Sequence, residues 1–476
     1  MVNGMLRRTA SRFFLLAMAA CLCACPAHAA GVFRVSAAST AETPDGSSWD
    51  RAFKTLQEGA DAADAAGGGE VWVAEGTYTA ATDPVLTMKA GVSLFGGFCT
   101  SETEFSTRDW NANPTVIDGQ YARRCVLGAN DTVLDGFTVT RGYAVAVPGQ
   151  IASSGSGLMI LNVSLTVRNC AFVDNRADSG GGAMFNASGN LRVEHSTFQA
   201  NRVLGSSIAY SNDGGGAINT SSGSITLQGC VFTANTCVKN GGALSSYASS
   251  TNLTNCVFSS NAAKGSGGAI ANDYDSGRDR SVTNCTFSGN SAGGAGGAIL
   301  EVYPSTITNS IFWNDQASYG YPEIACYESA YDPTAVSCSC VQGGYAGTGN
   351  ISTDPLLIDD SGGSVQLRPG SPCVDAGIAD GAPTTDILGR PRPAGTGVDM
   401  GAYEGTVAPA DIVTLTNIRT TSDIAVGDQV IAARSRLGTV IDLSRVITQE
   451  LAKYTSDAGN HVHLEVGPAP AASLLL

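Results

Sequence analysis

Leu253-Thr-Asn-Cys-Val-Phe-Ser-Ser-Asn261, followed by Gly267-Gly-Ala-Ile270, is the clearest copy of a unit that this 476-residue chain repeats between Leu161 and Asn314. Aligned on its Phe, the unit recurs at Phe172, Phe198, Phe232, Phe258, Phe287 and Phe312, with spacings of 26, 34, 26, 29 and 25 residues. An aliphatic residue stands five places before each Phe: Val167, Val193, Leu227, Leu253, Val282 and Ile307. Three places after it comes an Asn in five of the six copies, at Asn175, Asn201, Asn235, Asn261 and Asn290, whereas the sixth has Asp315 there and Asn314 one place early. Self-similarity of this kind specifies a solenoid, whose units bury their apolar faces only by stacking on one another.

Strand parity gives the coil its shape. Cys256 and Phe258 share one face of a strand and Leu253 has the opposite parity, so a corner near Thr254-Asn255 is needed for all three to point inward. Asn261 marks the next corner, and one Asn per coil stacked on the next makes an amide ladder along the axis. Gly267-Gly-Ala-Ile supplies a tight bend into a third strand. Three short strands per coil define an all-β fold, a right-handed parallel β-helix, with the handedness following from the crossover rule. About ten or eleven coils between Glu70 and Val341, stacked at ~4.8 Å, form a rod roughly 50 Å long.

The flanks read differently. Arg7, Arg8 and Arg12, an apolar run from Phe13 to Cys25 and then Ala27-His28-Ala29 make residues 1–29 an export signal with a small-residue cleavage site. Leu22-Cys23-Ala24-Cys25 also resembles a lipoprotein box, which would anchor the chain at Cys25, although ordinary cleavage is the favoured reading. Residues 30–69 form an amino-terminal cap. Phe53, Leu56, Ala60 and Ala63 recur there at helical spacing, with Ser48 or Asp50 available to cap the helix start. The β-helix proper covers 70–345, a Pro- and Gly-rich cap over the last rung covers 346–405, and a small β-rich tail covers 406–476.

Composition narrows the partners. The formal net charge is −15, and removing the three signal arginines takes it to −18, since no acidic residue leaves with them. That balance excludes nucleic acid and anionic lipid as partners. No segment after the signal is long and apolar enough to span a bilayer, so the expected state is an exported monomer, peripheral to the envelope, without a cofactor. Of the 14 cysteines, 11 remain after cleavage. Cys170, Cys230, Cys256 and Cys285 share one place in the repeat, where parallel Cβ vectors disfavour bridging and a buried ladder of small residues is the better reading. Cys326, Cys338, Cys340 and Cys373 fall outside the repeat and are the ones expected to pair.

The paired motifs carry a family resemblance. Gly180-Gly-Gly-Ala-Met, Gly214-Gly-Gly-Ala-Ile, Gly241-Gly-Ala-Leu, Gly267-Gly-Ala-Ile and Gly296-Gly-Ala-Ile, each combined with Phe-x-x-Asn, are similar to the repeat of polymorphic outer membrane proteins and of pectin-lyase-like β-helices. The resemblance implies a surface or secreted location and a role in adhesion. Asp386-Ile-Leu-Gly-Arg-Pro-Arg-Pro and Val398-Asp-Met-Gly-Ala-Tyr-Glu resemble the closing segment of bacterial surface β-helix proteins with interchangeable anchors. Gly459-Asn-His-Val-His-Leu-Glu-Val resembles the last strand of lysostaphin-type zinc peptidases, which implies zinc at His463 and a catalytic role for His461. That family also needs an upstream His-x-x-x-Asp, and His195, followed at the fourth place by Gln199, does not supply it. A catalytic zinc requires three protein ligands, so the tail reads as a degenerate accessory domain.

Two other places in the repeat invite chemistry. His195 stands where other copies have Asn169, Asn255, Asn284 and Asn309, so it reads as a substitution within the corner row. Asp273, Asp275, Arg278, Asp279 and Arg280 fall in the excess that stretches one spacing to 29 residues. They are the candidates for a polysaccharide lyase or glycoside hydrolase, which needs clustered acids with a basic residue or a pair of carboxylates. A charged loop on a rod is more often solvated surface. The reading assigns no catalytic residue, and makes the chain a non-catalytic surface protein that displays its loops to a carbohydrate or protein ligand.

Overall fold

The computed structural model describes residues 31–144, 153–205, 214–273, 278–302, 305–326, 334–359 and 365–405, and the backbone of three further strands, Ile412–Thr414, Gln429–Ile431 and Ser473–Leu475, which form one small sheet. The export signal, Cys25, Asp275, His461 and His463 lie outside the described residues. No helix among the described residues is long and apolar enough to cross a membrane.

One coil shows how the sequence builds the rod. Ser250–Thr254 is the first strand, Asn255 turns the corner at φ 52°, Val257–Ser259 is the second, Ser260 turns the next corner at φ 56°, Ala262–Ala263 is a third, and Gly267 at φ 69° leads into Ile270–Asp273. Each strand pairs in parallel with its counterparts in the coils before and after. The result is four sheets, of eleven, ten, seven and nine strands. The seven-stranded sheet corrects the expectation of three strands per coil. Its members have only two residues each, from Tyr143–Ala144 to Gln316–Ala317, too few for an alternating pattern to register in the sequence.

The inward positions are the expected ones. The six Phe rings stack face to face along the axis, with centroids 4.6 to 5.2 Å apart and planes within 10°. Isolated aromatic pairs prefer offset or edge-to-face packing, so the strand spacing imposes this arrangement. Cys170, Cys230, Cys256 and Cys285 are buried beside them as free thiols, and burial pushes the Cys170 thiol up to about 12.

The asparagine ladder leaves no amide bond unmade. Asn235 Nδ2 donates to Asn261 Oδ1 at 2.9 Å and to the Phe198 carbonyl at 2.9 Å. Its Oδ1 accepts from both the backbone N–H and the Nδ2 of Asn201. The ladder runs from Asn175 to Asn290 and ends on Asp315, whose Oδ1 accepts from Asn290 Nδ2 at 2.7 Å. Asn314 takes the left-handed corner at φ 63°, which accounts for its position one place early. The Gly bends are obligatory: a Cβ on Gly241 would lie 2.2 Å from the Leu244 carbonyl oxygen.

Both ends differ from expectation. Gly31–Val35, placed in the amino-terminal cap by sequence, is the first strand of the eleven-stranded sheet and pairs with Gly69–Ala74. The helix runs from Leu56 to Ala65, with Thr55 as its N-cap in a capping box with Glu58, so Ser48 and Asp50 do not cap it. Phe53 lies outside it, and Trp49–Arg51 is a separate 3₁₀ turn. Leu56, Ala60 and Ala63 join the interior cluster with Val35 and Val71, which closes the apolar lumen at the amino end.

Only the start of the expected 346–405 cap closes the last rung, where Ile351 bridges Cys340, Asn350 Nδ2 donates to the Val336 carbonyl at 3.0 Å and the neighbouring Tyr345 packs on the interior cluster. The rest of the segment folds back along the outside of the ten-stranded sheet, because the outward row Val231, Val257, Thr286, Ile311 and Cys340 is largely apolar. Val257 packs with Val365, Ile387, Ala402 and Tyr403, and Ile311 and Cys340 pack with Cys373 and Met400. The corner asparagines hold this segment: Asn255 Nδ2 donates to the Thr385 carbonyl at 2.7 Å, Asn284 Nδ2 to that of Asp399 at 2.9 Å and Asn309 Nδ2 to that of Ile378 at 2.8 Å. Arg392 is buried against Glu404 at 2.6 Å and donates to the Gly401 carbonyl.

Candidate functional site

The long spacing between Phe258 and Phe287 opens a recess in the rod wall. It has a volume of about 360 Å³ and is lined by Asn252, Arg278, Asp279, Arg280, Ser281, Ser305 and Thr306, all of them polar. Asn252, Ser281 and Thr306 are in register on successive strands of the eleven-stranded sheet. Their parity is opposite to that of Leu253, Val282 and Ile307, so they face outward. Ser281 Oγ donates to Asn252 Oδ1 at 3.0 Å. Arg278 and Asp279 are exposed at the rim, and the Asp279 carbonyl accepts from Thr251 N–H.

Arg280 departs from the loop it was grouped with. It begins the strand Arg280–Thr283, shares the inward parity of Val282 and is 5% exposed. Its Nε and Nη2 are buried with no hydrogen-bond partner among the described residues. Its charge acts on Glu301, the last member of an interior polar row, Asn186, Thr220, Ser246, Asn272 and Glu301, in register on the nine-stranded sheet. Asn272 Nδ2 and Ser305 Oγ donate to Glu301 Oε1 at 2.9 and 3.0 Å. Burial raises the Glu301 carboxyl to about 7 against the opposing pull of Arg280 and these donors. Sequence reasoning missed Glu301, although a charged residue ending a row of small polar ones was a visible signal.

A pair of buried acids closes the ladder. In the last complete coil Asp315 replaces the ladder Asn, and Glu323 replaces the Ala of the Gly-Gly-Ala bend. The two carboxyls lie close enough to act on each other's ionisation. Burial raises Asp315 to about 6, while burial and the Asp315 charge raise Glu323 to about 10.

Asp273 ends the strand Ile270–Asp273. His195 holds an exposed left-handed corner at φ 44°, its ring lying over Gly229 of the next coil, where a Cβ would meet Nδ1 at 2.7 Å. No group of three or more His, Cys, Asp and Glu side chains able to hold a metal ion occurs among the described residues.

Comparison with known proteins matches this architecture. Residues 113–277 match the family described as the right handed beta helix region. The chain is a right-handed parallel β-helix. A second match places a Chlamydia polymorphic membrane protein repeat on residues 284–300 of this β-helix. Among solved structures it is similar to pectate lyase Pel9A, with 15% identity, a TM-score of 0.42 and coverage of 78% of this chain and 96% of that one. It is also similar to a rhamnogalacturonan lyase, with 13% identity, a TM-score of 0.43 and coverage of 71% and 95%. No curated protein sequence matches the chain.

Proposed function

We propose that this β-helix is an exported surface protein that binds a carbohydrate at the recess around Ser281 without cleaving it. The carrying observation is the recess itself, open to solvent and lined by hydroxyl, amide, carboxylate and guanidinium groups with no apolar member. Such a lining suits a hydroxylated ligand that exchanges hydrogen bonds with water for hydrogen bonds with protein. The export signal and the match to a polymorphic membrane protein repeat support the location. Glu301, the carboxyl whose proton affinity lies near neutrality, is sealed in the interior and does not reach a ligand in the recess.

The alternative is a polysaccharide lyase or glycoside hydrolase, favoured by the exposed Asp279 and Arg278 on one rim. Calorimetry and reducing-end assays against a panel of neutral and acidic polysaccharides separate the two. Binding without turnover, weakened about tenfold or more by Arg278→Ala or Ser281→Trp, is the expected result. New reducing ends or unsaturated uronides that disappear in Asp279→Ala would establish the enzyme instead. Mass spectrometry of the mature amino terminus after cell fractionation tests the export and surface location.

A further inference from the structure

We propose that Cys340 and Cys373 form a disulfide that fastens the returning carboxy-terminal segment to the last coil of the rod. Cys340 lies in the last strand of the ten-stranded sheet, in register with Ile311. It therefore belongs to the outward row and not to the interior cysteine ladder. Within that ladder, in-register neighbours project along parallel Cβ vectors, a poor geometry for bridging. Cys373 instead arrives from a separate segment that crosses over the outside of the sheet. Both residues are fully buried and pack in one cluster with Ile311 and Met400. The two sulfurs are within hydrogen-bonding reach, and this contact together with burial pushes the Cys373 thiol far up. Cys338 and Cys326, the other two cysteines expected to pair, are partly exposed and outside this cluster.

The oxidant is an external disulfide, such as oxidised glutathione or the disulfide of an exported thiol oxidoreductase. During folding, before the segment closes, one cysteine thiolate attacks that disulfide and expels one thiolate, leaving a mixed disulfide on the protein. The second cysteine thiolate then attacks the protein-side sulfur, forms the Cys340–Cys373 bond and expels the second thiolate. The two cysteine protons go to the released thiolates, and the two electrons reduce the external disulfide to two thiols. The bond closes the loop between Cys340 and Cys373 and pins the start of the returning segment to the last strand of the ten-stranded sheet. An oxidising compartment is implied by the export reading, and the test keeps the two apart.

The mature full-length chain is purified reduced, then refolded in a mixture of oxidised and reduced glutathione. In parallel it is recovered from an exporting host. Both samples are acid-quenched, denatured, alkylated without reduction and mapped by mass spectrometry. The expected result in the refolded sample is a Cys340–Cys373 cross-linked peptide and the loss of both alkylation adducts, abolished in Cys373→Ser with circular dichroism unchanged. Alkylation of both residues in the refolded sample, or a bond from either to Cys326 or Cys338, overturns the proposal. A bond in the refolded sample that is missing from the exported one upholds the pair and counts against the export reading.

Discussion

Replacing Asn235 by Ala removes an amide that makes four hydrogen bonds and strands two buried donors on Asn201 and one carbonyl on Phe198. Each orphaned group costs about 1–3 kcal/mol, partly offset by relaxation, so a loss of roughly 2–4 kcal/mol is expected in urea denaturation. Asn235→Asp keeps the shape but loses the donor, and should destabilise comparably. Asp315→Asn is the contrasting case, because Asp315 stands at the ladder's end, where its Oδ1 only has to accept. At pH 8 that variant should be neutral or stabilising, since it removes one of two interacting carboxyls. A marked loss of stability in Asp315→Asn would show that the two buried carboxyls do not work against each other. Asn, Phe and Gly of the repeat were legible in the sequence because each recurs, and recurrence shows which face a residue takes. Glu323 occurs once, and its partner lies eight residues away across a bend, so only the coil geometry brings them together. Arg280 was legible in principle: it stands two places before the inward Val282, yet the charges around it suggested an exposed loop.

At the scale of the element, the returning segment is held by polar groups of the repeat as well as by its apolar contacts. Arg392 and Glu404 are both fully sequestered, with Arg392 also donating to the Asp399 and Gly401 carbonyls. Removing one partner of such a pair leaves the other buried and uncompensated, at a cost of about 3–5 kcal/mol. Arg392→Met is therefore expected to open the segment from Thr384 to Glu404, detected as faster hydrogen exchange there, while coils before Phe232 keep their protection because stacked repeats transmit strain only to neighbours. Uniform loss of protection along the rod would instead mean that the segment is integral to the whole stack. The motif residues of this segment were visible in the sequence, but its path was not. Asn255, Asn284 and Asn309 are corner residues whichever surface covers them, and nothing in a repeat records what docks on its outside. The first strand, Gly31–Val35, was obscured for a related reason, since a helix separates it from its partner Gly69–Ala74.

Over the whole molecule the buried acids set an unusual pH dependence. Glu301 is raised to about 7, Asp315 and Asp399 to about 6 and Glu323 to about 10, in each case with burial as the largest cause. A carboxyl that holds its proton more tightly in the folded state contributes stability that is complete below its unfolded value. That contribution is lost as pH rises through its folded value. For Glu301 the change from 4.5 to about 7 corresponds to about 3 kcal/mol, removed between roughly pH 4.5 and 7. Asp61, beside Lys89 and Gln57, and Asp386, held by backbone N–H groups and Arg390, are shifted downward against the cost of burial and act in the opposite sense, but they lose their contribution mainly below pH 4. Self-repulsion of the acidic chain grows in the same direction as the loss from the buried acids. The midpoint of thermal unfolding should therefore fall from pH 5 to pH 8, whereas acid-labile proteins become more stable over that range. Glu301→Gln keeps an acceptor for Asn272 and Ser305 without the ionisation, so it should flatten the decline and raise the midpoint at pH 8. A wild-type profile that rises toward pH 8, or a Glu301→Gln profile parallel to the wild type, would show that the interior row does not control the stability of the rod.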